Sequence, residues 1–156
     1  MSGKKHAKAR APTSSSNAPK ARLPEPADRQ KRPHFCFEHI DTSTKESWVF
    51  TPNGEASAEI LSFICEMACL SWADIEAQQV GPSHKRKPRH HYQEVDSIDA
   101  AAQKDLSRRK LAQTFGDAPL FRFRLTGKKR LWGFRTDRVF HALWWDWNHE
   151  VCPQEK

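Results

Sequence analysis

Arg122 and Arg124 stand two residues apart in the stretch Leu120–Thr126, alternating with Phe121, Phe123 and Leu125. A period of two is that of a strand with one apolar and one polar face. On such a strand both guanidiniums share a face, and each can donate two hydrogen bonds to one phosphate. Arg130 and Arg135 follow on the next apolar stretch, with Lys128 and Lys129 in the turn between. This row of cations is the candidate nucleic-acid surface, together with Arg89. The solvated side of a half-buried sheet would carry charges of the same kind.

Two histidine clusters could act as acid or base. His90 and His91 adjoin Arg86, Lys87 and Arg89. Neighbouring cations depress an imidazole pKa and favour its neutral, base-competent form. His149 ends the sequence Trp144-Trp-Asp-Trp-Asn-His149, three residues after Asp146. Asp146 can orient His149 or cap the turn through nearby backbone. The candidate catalytic residues are therefore His91, His149 and Asp146. His141, inside an apolar stretch, is read as a packing residue. Of Trp144, Trp145 and Trp147, at least one should lie in the core, and another is available to stack on a base.

No metal and no cofactor is expected. Cys65 and Cys69 sit four apart in an apolar helical stripe, without the knuckle spacing of zinc sites. With Cys36 and Cys152 they read as small buried thiols. Walker, dinucleotide, nucleophile-elbow and zincin motifs are absent from the sequence.

The elements that must position these groups follow from periodicity and punctuation. Phe35 and Phe37 alternate with polar neighbours, and Trp48 and Phe50 flank Val49, with Asp41-Thr-Ser-Thr-Lys45 between, so the reading is an N-terminal β-hairpin. A helix is expected from about Glu55 to Cys69, with Ile60, Leu61, Ile64 and Met67 at helical spacing, and a burial nearly all round. A second runs from Trp72 to Gln79 behind a Ser71 N-cap and an imperfect capping box with Asp74. A third spans Asp99 to Phe115, closed by Gly116. Three strands joined by Gly127-Lys-Lys129 and Thr136-Asp-Arg138 then form an antiparallel meander. The expected class is α+β, with that meander as one sheet and the helices on one face.

Charge is distributed unevenly. Residues 1–33 carry nine Lys/Arg against two acids, a net of +7, with five prolines and one large aliphatic, Leu23. Such a segment offers too little apolar surface to offset its ordering entropy, so a disordered basic tail is expected over 1–33. A single domain follows over 34–153, and 154–156 are expected to fray. Residues 34–83 sum to −7 and residues 104–138 to +8, so the fold either separates the two signs or neutralises them against each other. There is no secretory signal and no apolar run of about 18 residues that would span a membrane. A cytoplasmic protein with reduced thiols and no membrane partner is expected.

The segment Leu120–Val151, LFRFRLTGKKRLWGFRTDRVFHALWWDWNHEV, resembles the closing meander of small toxin ribonucleases of the RelE type. It is similar also to small uncharacterised proteins that open with an aromatic strand and end in Trp-Asp-x-x-His. The toxin resemblance implies a metal-independent endoribonuclease, with RNA or the ribosome as target and an antitoxin-like protein as partner. It implies roles in RNA holding and cleavage for Arg122, Arg124, Arg130 and His149. From the residues alone, a non-catalytic nucleic-acid-binding or protein-interaction module using the same basic face remains the alternative.

Overall fold

The computed structural model describes residues 21–52 and 54–153. In chain order the elements are α1 (Pro26–Arg29), β1 (His34–Cys36), α2 (Gly54–Ala68), α3 (Trp72–Ala77), β2 (Gln79–Val80), β3 (Lys87–Pro88), β4 (His91–Gln93), α4 (Ala100–Arg108), α5 (Leu111–Phe115), β5 (Leu120–Arg124), β6 (Arg130–Thr136) and β7 (Val139–Asp146), with a 3-10 turn at Val95–Ser97. The fold is α+β, as expected.

The expected antiparallel run of β5, β6 and β7 is present, and it forms the middle of a larger, mixed sheet of order β1-β7-β6-β5-β4. β4 joins it antiparallel to β5, and β1 joins it parallel to β7. A second small sheet pairs β2 with β3.

The N-terminal hairpin is not formed. His34–Cys36 pairs with Val139–His141 instead of folding back on Trp48–Phe50. The upper half of the same β7 edge is covered by a loop: the Asp41 amide donates to the Leu143 carbonyl at 2.7 Å, and the Trp145 amide donates to the Trp48 carbonyl at 3.0 Å. A free sheet edge is a row of unpaired donors and acceptors, and both expected strands serve it rather than each other. Asp41 is buried and folds this loop by accepting from the Ser43 and Thr44 amides.

Helices cover both faces, not one. On the first face Ile60, Phe63 and Met67 of α2 and Trp72 and Ile75 of α3 pack against Phe121, Phe123, Leu131, Phe140 and Trp145. Phe123 is the hub, with the rings of Phe140, Phe121, Phe63 and Trp72 centred 4.8, 5.0, 5.5 and 5.8 Å away. On the second face Ala102 and Leu106 of α4, Leu111 of α5 and Trp48 pack against Leu120, Trp132, Phe134, Leu143 and Trp144. β6 and β7 are apolar at odd and even positions alike, so each face needs a cover.

A bulge lets two consecutive residues of β7 share one face. Trp132 pairs with Trp144 and Gly133 with Ala142, leaving Leu143 as the extra residue. Leu143 and Trp144 therefore both enter the second core, while Trp145 enters the first. Gly133 permits the close approach, since a Cβ there would stand 2.3 Å from the His141 carbonyl oxygen.

Other expectations shift in smaller ways. The capping box at Ser71 and Asp74 is complete. The third helix is broken at Lys110, which takes a left-handed conformation (φ 53°) and separates α4 from α5. Helix α2 buries only one stripe, and Leu61, Cys65 and Cys69, spaced by four, lie on its exposed side. The thiols of Cys65 and Cys69 are thus exposed rather than buried, and Cys36 and Cys152 are half-buried; all four are free.

Structure begins before position 34. Pro33 and Asp28 are buried, Arg29 pairs with Glu76 at 3.0 Å, and the Trp72 amide donates to the Lys31 carbonyl. The Arg22 amide donates to the Asp117 carbonyl at 2.8 Å, so these residues are held beside α3 and after α5 and are not a free tail. The rest of the expected tail, and the expected fraying at 154–156, lie outside the described residues. No helix among the described residues is long and apolar enough to cross a membrane.

Candidate active site and nucleic-acid interface

Strand register decides which cations meet. The tight turn after β5, closed by the Leu125 amide on the Lys129 carbonyl, sets Arg124 directly opposite Arg130. Two rows then cross the second face of the sheet. One runs His91, Arg122, Trp132, Trp144 from β4 to β7. The other runs Arg124, Arg130, Asp146. Helices α4 and α5 cover this face through Leu120, Trp132, Phe134, Leu143 and Trp144, and Arg122 and Arg124 stay half-buried beside that cover.

His149 completes the cluster from the turn that follows β7. It adopts a left-handed backbone (φ 61°), which carries its ring back toward the sheet. Its Nε2 lies 3.4 Å from Nη1 of Arg122. Arg124, Lys128, Arg130, Asn148, His149 and Pro153 surround an open pocket of about 320 Å³.

Electrostatically the cluster is unbalanced. Like charges directly opposite in a sheet destabilise it, and Arg124 faces Arg130. Among the described residues neither of them, nor Arg122 or Lys128, has an ion-pair partner. Arg130 is 5% exposed, and burial, followed by repulsion from Arg122 and Arg124, lowers its pKa to about 10. Its Nη1 donates to the Gly127 and Lys129 carbonyls, which fix the guanidinium in place. The Nε groups of Arg122 and Arg130 are buried without a partner. Arg122 lies over the Trp132 indole at 5.6 Å, a cation–π contact that holds it without neutralising it. Both site histidines are pushed down from their ordinary range. Burial is the largest cause for each, then Arg122 for His91, and Arg130 and Arg122 for His149. They are neutral near pH 7 and competent as bases.

The remaining expected site residues go elsewhere. Asp146 is buried, but it accepts from the Glu150 and Val151 amides and from the Trp132 indole. Those contacts cap the turn that presents His149, and no hydrogen bond joins the two side chains. Arg135 points to the opposite face, where it is buried, pairs with Glu76 at 2.6 Å, and stacks on Trp72 at 3.9 Å. Lys129 pairs with Glu59 at 2.7 Å. Arg89 donates to Gln78 and lies over Phe63. These three cations are neutralised or spent on packing and do not join the arginine pocket.

His90 is a structural group that the sequence did not distinguish from His91. Its Nδ1 accepts from the Arg124 amide at 3.0 Å and its Nε2 faces the side-chain Oε1 of Gln78 at 3.2 Å. The ring sits among Phe63, Phe121 and Phe123. Burial, followed by Arg89, lowers its pKa to about 3. It thereby anchors the backbone of Arg124 from beneath the sheet. Trp132 was also missed; counting residues through the Gly127 turn would have placed it opposite Arg122. Among the described residues, no three His, Cys, Asp or Glu side chains converge as metal ligands.

No family model, curated protein or solved structure matches the chain.

Proposed function

We propose that the chain is an RNA-cleaving enzyme that acts at the pocket of Arg124, Lys128, Arg130 and His149, with Arg122 against His149 and His91 opposite Arg122 in the sheet. The observation that carries this reading is the contact of His149 with Arg122 inside a cluster of cations that form no ion pair among the described residues. Such a cluster is stabilised by an incoming phosphodiester, whose oxygens can take the free guanidinium donors.

The reaction is transesterification within the RNA. Neutral His149 removes the proton of a 2′-hydroxyl, and the 2′-oxygen attacks the adjacent phosphorus. The new O–P bond forms as the bond to the 5′-oxygen breaks, leaving a 2′,3′-cyclic phosphate and a 5′-hydroxyl. In the free protein Nε2 of His149 faces the Arg122 guanidinium; a phosphate that draws this guanidinium onto itself releases the nitrogen to act as base. Arg122, Arg124 and Arg130 stabilise the charge that builds on the phosphoryl oxygens. Lys128, at the pocket wall, is the cation placed to return a proton to the leaving oxygen. Ribosome-bound RNA as target and an antitoxin-like protein as partner belong to the same reading.

One observation favours binding without cleavage. Asp146 is engaged by the turn, so no carboxylate holds either site histidine in one tautomer. End-labelled single-stranded RNA incubated in chelator separates the two. The cleavage reading expects cyclic-phosphate products, and a loss of about 10²–10⁴ in rate for His149→Ala with binding retained. Intact RNA in the presence of tight binding would establish the binding module instead.

A further inference from the structure

A second pocket adjoins the first across the end of the sheet. Val49, Thr51, Glu55, Ala56, Glu59, Lys129, Trp145 and Trp147 line about 330 Å³ of open space. The two pockets are built by the same two turns. In the turn after β5, Lys128 belongs to the arginine pocket and Lys129 to this one. In the turn after β7, Asn148 and His149 belong to the arginine pocket and Trp147 to this one. The two pockets thus meet at neighbouring residues, Lys128 and Lys129 in one turn and Trp147 and Asn148 in the other.

The chemistry of the second pocket differs from that of the first. Trp147 is 53% exposed, whereas Trp144 and Trp145 are buried, so its indole offers a free face to a flat ring. Glu59 is occupied by Lys129 and Thr126. The side chain of Glu55, in the first turn of α2, forms no hydrogen bond or ion pair among the described residues and borders the same space. An aromatic face beside a free carboxylate suits a nucleobase that presents adjacent N–H donors along its pairing edge. Guanine does so through N1–H and the N2 amine. Uracil offers one donor between two carbonyls, which would face the carboxylate unfavourably.

Resting on the RNA reading of the arginine pocket, we propose that this second pocket selects guanine beside the phosphate held by the arginines, with Trp147 stacking on the base and Glu55 reading its edge.

The test uses fluorescently labelled 2′-O-methyl hexamers, which cannot undergo 2′-hydroxyl attack: one all-uridine, one with a single central guanosine. Anisotropy on the full chain should show the guanosine hexamer bound about tenfold tighter, the scale of one bidentate base contact. Glu55→Ala should abolish that preference by weakening the guanosine hexamer without weakening the all-uridine one. Trp147→Ala should weaken both hexamers, by about tenfold for a stacked base. Both side chains are exposed, so circular dichroism should be unaltered. Equal affinity for the two hexamers, with binding still weakened by Arg122→Ala, would overturn base selection while leaving the phosphate pocket standing. Binding of neither hexamer would overturn both.

Discussion

Arg122, Arg124 and Arg130 differ from Arg135 in one respect: among the described residues no carboxylate comes within ion-pair distance of them, and Asp146, engaged by its turn, bears on Arg122 and Arg130 only from farther off. Arg135 and Lys129 looked equivalent in the sequence, being basic residues of the same strands and turns. Glu76 and Glu59, far away in the chain, claim them. Sequence shows where a charge lies along a strand, and the partner from a distant helix is what decides whether it is free. His90 and His91 pose the same problem at closer range. His90 stands in the bend just before β4 and is locked in the aromatic core, while His91 opens the strand opposite Arg122. His90 predicts an acid-sensitive fold. Its pKa falls from an ordinary 6.5 to about 3 in the folded chain, so the unfolded chain binds the proton more readily between those values. Stability is complete above about pH 6.5 and declines as pH drops toward 3, by up to about 1.4 kcal/mol per pH unit. His91, His141 and His149, also depressed, act in the same direction. Urea unfolding of wild type and His90→Gln between pH 4 and 7 (about the span where the proton is taken up) should show a shallower pH slope for the variant. Equal slopes would remove His90 from this role.

At the scale of elements, the C-terminal meander was legible because alternation in β5 and the glycine turn are local signals. The hairpin over residues 34–50 was misread because pairing with β7 is a long-range choice. Two short apolar stretches near a turn favour each other locally, yet the edge of a long central strand offers more hydrogen bonds and two ready-made cores. The bulge in β7 was equally hidden. It is recorded in the sequence only as Gly133, a small residue in a strand of large ones, and glycine in such a place marks close backbone approach. Gly133→Ala would press a methyl group on the His141 carbonyl and the Phe140 ring. The expected cost is about 3 kcal/mol, together with a displaced register that moves Arg130 relative to Asp146. Chemical denaturation measures the first effect. An unchanged midpoint would mean that the bulge does not need this contact.

Over the whole molecule, the acidic first half and the basic second half are partly neutralised against each other, through Glu59 with Lys129 and Glu76 with Arg135. At one end of the sheet Arg124, Lys128 and Arg130 stay without an ion pair among the described residues, and the arginine pocket opens there. Helix α3 is flanked by the residues around 29–33, whose apolar content alone gave no sign of docking. Their hold comes from Arg29 on Glu76, the Lys31 carbonyl on the Trp72 amide, and buried Pro33. Deleting residues 1–33 should therefore lower the melting temperature by about 5 °C or more, the shift expected for a loss near 1 kcal/mol in a domain of this size. A melt identical to that of the intact chain would contradict the docking.

The central claim is that the unpaired arginines take RNA phosphate. Its most direct test is the salt dependence of single-stranded RNA binding by wild type and by the Arg122→Ala, Arg124→Ala double variant. Each phosphate contact contributes about 0.7 to the slope of log K against log salt. Wild type should show a steep negative slope, and the double variant should bind more weakly with a slope flatter by about 1.4. Parallel slopes for the two proteins, or wild-type binding indifferent to salt, would contradict the claim.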